Sequence, residues 1–235
     1  MKAVILQSNY IPWKGYFDLI SNADVCVFLD SVQFTKNDWR NRNRILSGKG
    51  DDIWLSIPVG QSISRKIMDV ELPQNDWGKR HLSAFKTHYG TAPNFSRAYE
   101  TLSDEIESTP KLLSSLNQKL IERITREYFH PSIEFVNDYE LLDDVPSLER
   151  NQRVISILKA VEATEYISGP SASSYIDDKR YKSENISVRY ANYEGYPKYS
   201  QNGSIFRDDV SILDLISWNG NSSIDFLKRE ELLVS

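Results

Sequence analysis

Three stretches of this 235-residue chain combine residue types that could do chemistry. The first, Gln7-Ser8-Asn9-Tyr10-Ile11-Pro12-Trp13-Lys14-Gly15-Tyr16, holds two side-chain amides and three aromatic rings. Pro12 fixes a turn and Gly15 permits close approach, so the stretch reads either as a platform for a saccharide or nucleotide or as a surface turn with its rings tucked inward. The second runs from Asp30 through Gln33, Lys36 and Trp39 to Arg44. If it is extended, Arg40, Arg42 and Arg44 share one face at about 6–7 Å spacing, with Asn41 and Asn43 on the other. Guanidinium forks match phosphate or carboxylate, which points to an acidic or diphosphate ligand; the alternative is a solvated edge strand protected by charge. In the third, Ser168-Gly169-Pro170-Ser171-Ala172-Ser173-Ser174-Tyr175, the amides and hydroxyls of a turn before a possible helix suit an anion. Gln201, Asn202 and Phe206 form a further polar loop ahead of Asp214.

Other chemistries find little support. His81 and His88 lie seven residues apart, about 10 Å along a helix, too far to share a metal ion. His81 alone remains as a general base able to titrate near neutral pH. There is no Walker loop, no GxGxxG and no GxSxG. The single cysteine, Cys26, sits in the apolar run Val25–Leu29 and reads as a buried thiol. Lys and Arg number 28 against 33 Asp and Glu, a net charge of −5. The whole chain therefore has no electrostatic reason to condense on DNA or anionic lipid, and any anion site must be local. No apolar stretch approaches the roughly 20 residues of a membrane span, and the N-terminus lacks a secretory pattern, so a cytoplasmic protein is expected.

These residues need elements to position them. Lys2–Gln7 and Asp24–Asp30 read as buried strands with a helix from Tyr16 to about Asn22 between them, a crossover unit that predicts a parallel sheet. The first loop then leaves the C-terminal end of a strand, where open α/β sheets bind ligands. Ile53–Val59 pairs with Asn43–Leu46 across the Gly48-Lys49-Gly50 turn. Asn75 or Asp76 caps a helix carrying Trp77, Leu82, Phe85 and Tyr89, closed by Gly90. Thr109 and Pro110 start a helix with Leu113, Leu116, Leu120, Ile121, Ile124 and Tyr128 on one face. Another helix follows Ser147, short strands fall at 133–136, 166–167 and 186–190, and a core helix spans 210–218. The expected architecture is one α/β domain over residues 1–235, a largely parallel central sheet flanked by helices with a helical insertion in mid-chain.

The motifs resemble those of the WbqC-like family of bacterial O-antigen and other surface-polysaccharide gene clusters. The likeness rests on Gln7-Ser8-Asn9-Tyr10-Ile11-Pro12-Trp13-Lys14-Gly15-Tyr16-Phe17, Asp30-x-x-Gln33-Phe34 and Trp39-x-Asn41-Arg42-Asn43-x-Ile45. It continues through Trp77 with His81, Tyr89, Ala92-Pro93, Phe95, Ser168-Gly169 with Tyr175, and Leu213-Asp214-Leu215 with Asn219-Gly220. The chain departs from the family pattern at Leu6, usually histidine, and Ser8, usually proline. Arg40 and Arg44 stand where the family varies.

The resemblance implies transfer of glycine or a related acyl group to the amino group of a nucleotide-activated amino sugar. The alternative is a non-catalytic protein binding the same sugar nucleotide. Asp30 or His81 would be the base and Lys36, Asn41 or Asn43 the oxyanion donors, with Arg42 on the diphosphate. Gln7, Asn9, Tyr10, Trp13, Gln33, Asn41, Arg42, Asn43, Ser168, Gly169, Tyr175 and Gln201 would bind substrate, with no metal. The acyl donor is left open between free amino acid with ATP, a thioester and aminoacyl-tRNA. The order of strand, Pro loop, Gly-aromatic helix start and second strand also resembles adenylyltransferases and class I tRNA synthetases, with Trp13-Lys14-Gly15-Tyr16 in the place of their His-x-Gly-His.

Overall fold

The computed structural model describes residues 1–60, 62–143 and 147–234. In chain order its elements are β1 (Lys2–Leu6), α1 (Lys14–Ser21), β2 (Val25–Phe28), β3 (Arg42–Leu46), β4 (Asp52–Ser56), α2 (Trp77–Tyr89), α3 (Phe95–Glu107) and α4 (Leu113–Tyr128). Then follow β5 (Glu134–Asn137), α5 (Asp138–Leu141), α6 (Arg150–Ala160), β6 (Glu165–Ser168), α7 (Asp178–Ser183), β7 (Ser187–Ala191), α8 (Ile212–Asn219) and β8 (Leu233–Val234).

The main sheet has the order β5-β2-β1-β6-β7-β8, parallel except for β8, and β3 and β4 form a separate antiparallel hairpin. Strand side chains alternate faces, and here both faces are covered. Val4, Cys26, Phe28 and Ile167 pack toward α1, α8 and the helices α2 to α4 inserted between β2 and β5. Ala3, Ile5, Val25, Val27 and Tyr166 pack with α6 and α7 on the opposite face. Near-continuous apolar strands follow from that double burial. The chain therefore moves from β1 to one side through β2 and β5, then crosses the other face to place β6 on the opposite flank of β1. This reversal opens a crevice between the C-terminal ends of β1 and β6.

Local boundaries differ from the sequence-based expectation where tertiary bonds intervene. The helix expected from Thr109 begins at Leu113, because Thr109 takes a left-handed φ of 50° and the next residues bond to the 70–72 segment, Leu72 N–H donating to Lys111 O and Leu113 N–H to Val70 O. Asp76 occupies the N-cap position of α2, but the side chain that accepts a bond from the Trp77 amide is Asn75. Strand β4 stops at Ser56, two residues before Pro58, and α1 begins at Lys14 rather than Tyr16. Helix α3 fills a stretch where no element was expected, although Phe95, Ala98, Tyr99, Leu102 and Ile106 carry helical spacing. Helix α8 is capped by Ser211, whose hydroxyl accepts from Leu213 N–H, and closed by Gly220 at φ 54°. Among the described residues no helix is long and apolar enough to cross a membrane.

Candidate functional site

At the crevice, Gln7 leaves the end of β1 and Ser168 the end of β6. A cavity of about 260 Å³ there is lined by Gln7, Asn9, Trp13, Ser168, Gly169 and Tyr175, with Arg40, Ser171, Tyr166 and Tyr193 completing the wall. A second lobe of about 450 Å³ lies on the α6 side. It shares Ile5, Leu6, Gln7, Tyr166 and Tyr175 with the first and adds Arg150, Asn151 and Arg153. Next to the crevice, a slot of about 200 Å³ is bounded by Asn9, Pro12, Trp13, Trp39, Asn43 and Asp209. Asn9 and Trp13 face both spaces, so the first loop is the partition between them.

That loop is held in a demanding conformation. Ile11 is fully buried at φ 39°, a left-handed backbone that a β-branched residue rarely adopts. Asn43 fastens it by donating from Nδ2 to the carbonyls of Tyr10 (3.2 Å) and Ile11 (2.9 Å), and Ser211 Oγ donates to Ile11 O at 2.9 Å. Trp13 stands at the N-cap position of α1, edge-on to Tyr193 with centroids 4.9 Å apart. Lys14 turns away into a cage of Tyr196, Tyr199 and Phe206, its ammonium 2.6 Å from Asp208, and burial lowers its pKa.

The residues nominated as bases lie behind the crevice. Asp30 is fully buried, accepting from Ser8 N–H at 2.9 Å and Gln118 Nε2 at 2.8 Å, and desolvation raises its pKa. Asp138, bound to the Ser31 hydroxyl and to the amides of Asp30 and Ser31, is likewise raised by burial. His81 lies within the helical insertion, Nδ1 against Tyr10 Oη and Nε2 against Ser56 O, and desolvation brings its pKa down to about 4.

Family comparison places these features in a larger group. The model of the WbqC-like protein family matches residues 7–226. The chain belongs to the WbqC-like family. A relative, uncharacterized protein Rv1507c of Mycobacterium tuberculosis, is 38% identical over 232 residues, 97% of each chain. No solved structure matches the chain significantly. Membership of the WbqC-like family suggests a role in polysaccharide-related pathways.

Of the residues nominated from sequence, Gln7, Asn9, Trp13, Ser168, Gly169 and Tyr175 converge on the crevice, and Asn43 joins Asn9 and Trp13 at the slot. The rest lie elsewhere. Tyr10 is core, and Asn41 donates to Ile57 O. Gln33 is exposed and donates to Ile63 O, while Lys36 is exposed. Gln201 Nε2 donates to Asp214, the Tyr199 hydroxyl and Arg207 O beside α8. Arg42 lies on the hairpin, its guanidinium 4.8 Å above the Trp54 ring and bonded to Asn37 O. Arg42 and Arg44 share the Trp54 face of β3, as expected, and Arg40 does not join them. Arg44 pairs with Asp52 and Asp209, whereas Arg40 precedes the strand and enters the crevice wall. Leu6, where the family pattern has histidine, lines both lobes. Tyr166 is a lining residue that the sequence reading did not single out, and the strand-end rule applied to both β1 and β6 points to it.

Proposed function

We propose that the chain is a transferase of surface-polysaccharide assembly, moving glycine or a related acyl group onto the amino group of a nucleotide-activated amino sugar held in the crevice between β1 and β6. The observation that carries the reading is the convergence of Gln7, Asn9, Trp13, Ser168, Gly169 and Tyr175 on one cavity at the point where strand order reverses. The slot beside it, walled by Trp13 and Trp39 with polar Asn9, Asn43 and Asp209, offers flat apolar faces and hydrogen-bonding edges, the combination that suits a sugar ring.

In this reaction the sugar amine loses its ammonium proton and its nitrogen attacks the acyl carbonyl carbon. The bond to the leaving group then breaks with its electron pair, and the nitrogen gives up a second proton. Asp30 is the base this reading nominates for the second proton, lying directly behind the loop through its bond to Ser8.

A second reading, a protein that binds the same sugar nucleotide without turnover, draws support from the complete burial of Asp30 and from the engagement of both ring nitrogens of His81. One variant separates the two. Asp30→Asn keeps an oxygen for the Ser8 amide, and Gln118 can present its carbonyl to the new NH2, so the fold should survive. Nucleotide-linked amino sugars are screened by thermal shift, where a ligand at about a hundred times Kd stabilises by about 2.7 kcal/mol. The stabilising compound is then assayed for acylation. A transferase loses turnover in Asp30→Asn while binding persists, a binding protein shows no acylation at all, and a flat panel on folded protein defeats both readings.

A further inference from the structure

We propose that the crevice is a diphosphate site anchored by Arg40, and not by Arg42, to which the resemblance gives that role. The inference deepens the reading above by naming the anion and its anchor, and it rests on that crevice being the ligand site. Its first support is a local reversal of charge. The chain carries 33 acidic residues against 28 basic ones, yet the described residues lining the two lobes include Arg40 and Arg150 and no carboxylate. A lining of described residues with guanidinium groups and no carboxylate favours negative charge in the crevice.

The second support is the state of Arg40 itself. Its side chain is only 14% exposed, and its nearest carboxylate is Asp38 at 3.6 Å. Asp38 is already engaged by the Thr35 hydroxyl and the Trp39 amide. Nη1 donates to Asn9 Oδ1 at 3.0 Å, and Nε is buried without a hydrogen-bond partner. A cation so removed from water and so incompletely neutralised is costly unless a ligand completes it, and a guanidinium fork is completed best by phosphate oxygens. Gln7 and Ser171, whose side chains can donate, line the same cavity. Tyr175, common to both lobes, carries the Arg150 guanidinium 4.4 Å from its ring, a cation-backed plate beside the anion site.

Titration calorimetry with inorganic pyrophosphate, ATP and UDP-N-acetylglucosamine, on wild type, Arg40→Gln, Arg40→Lys and Arg42→Ala, tests this. Gln retains a donor for Asn9, and melting curves verify that each variant folds. The expected result is pyrophosphate binding by wild type that weakens by at least about tenfold in Arg40→Gln, less in Arg40→Lys, and is screened by salt. Tighter binding of ATP than of pyrophosphate supports the site with an acyl-activating nucleotide as its source, and tighter binding of UDP-N-acetylglucosamine supports it with a sugar nucleotide. If pyrophosphate binds through Arg40 but neither nucleotide improves on it, the anion site stands and the sugar-nucleotide reading falls. No pyrophosphate binding by wild type at millimolar concentration overturns the proposal. So does a sugar nucleotide held equally by wild type and Arg40→Gln, or a loss confined to Arg42→Ala. Should Arg40→Gln not fold, the wild-type titration and Arg40→Lys decide alone.

Discussion

The hydroxyl of Tyr10 lies 2.9 Å from Nδ1 of His81, in the buried layer between the β1–α1 loop and the helical insertion. On the far side of the ring, Nε2 is 3.3 Å from the carbonyl of Ser56. A carbonyl only accepts, so Nε2 carries the proton and Nδ1 accepts from Tyr10. The pair thus fixes one neutral tautomer and ties the first loop to α2.

A pH dependence follows from that burial. The folded His81 has its pKa lowered to about 4, below an unfolded value of about 6.5. Its contribution to stability is therefore complete above about pH 6.5 and is lost as the pH falls toward 4, because the unfolded chain takes up the proton first. Between pH 7 and pH 5 the loss should be about 2 kcal/mol. Buried Asp30, Asp138 and Asp214 have raised pKa values and act with the opposite sign, so the comparison is with His81→Gln, which retains them. Urea denaturation at the two pH values should show a steeper fall for wild type than for the variant. Equal falls would contradict a buried neutral imidazole.

The parts of the fold legible in the sequence were those set by local period and burial. β1, α1 and β2 stood out because both faces of the sheet are covered, and α8 because its apolar run ends at Asn219-Gly220. The start of α4 was illegible because the bonds between residues 70–72 and 111–113 overrule a good capping pair. The site divides in the same way. Residues at strand ends, such as Gln7 and Ser168, could be nominated from position alone. The actual roles of Arg42 and Gln201 depend on Trp54 and Asp214, partners that spacing does not reveal. Spacing groups Arg40 with Arg42 and Arg44, and its separate place in the crevice wall exists only once the chain is folded.

Gly15 should resist even the smallest enlargement. A Cβ built there would lie 2.3 Å from the ring of Trp13, whose indole walls both the crevice and the slot. In a free helix Gly→Ala gains about 1 kcal/mol, whereas here the methyl group must displace the indole at a cost of about 1–3 kcal/mol. Gly15→Ala is expected to lower the melting temperature, alter the near-ultraviolet dichroism of tryptophan and weaken ligand binding. An unchanged or raised melting temperature would show that the indole moves without penalty.

Asn43 should matter more than its neighbours on the hairpin. Its Nδ2 serves the Tyr10 and Ile11 carbonyls, and its Oδ1 accepts from Arg44 N–H. Removing it takes the side-chain donor from the Tyr10 carbonyl and leaves Ile11 O to Ser211 Oγ alone, beside a backbone already at φ 39°. Asn43→Ala should cost about 2–3 kcal/mol in chemical denaturation. Asn41→Ala removes only one side-chain bond, to Ile57 O, and should cost about half as much. Similar losses in the two variants would mean that the loop holds its shape without Asn43.

Trp39 should show the reverse balance, a large effect on ligand and a small one on folding. Its ring is 42% exposed and stacks on the equally exposed Trp54, with centroids 6.0 Å apart and planes 24° from parallel. The bond that matters for the fold, from Tyr10 N–H, goes to its backbone carbonyl and survives truncation. Trp39→Ala should therefore cost only about 1 kcal/mol of stability, the order of one aromatic pair. It also removes the outer wall of the slot that the proposed sugar ring would occupy, while leaving Arg40 in place. Affinity for a nucleotide-linked amino sugar should fall toward that of the nucleoside diphosphate alone, and affinity for the nucleoside diphosphate should not change. Calorimetry with both ligands reads the two terms separately, and a parallel loss for both would place the tryptophan with the nucleotide instead of the sugar.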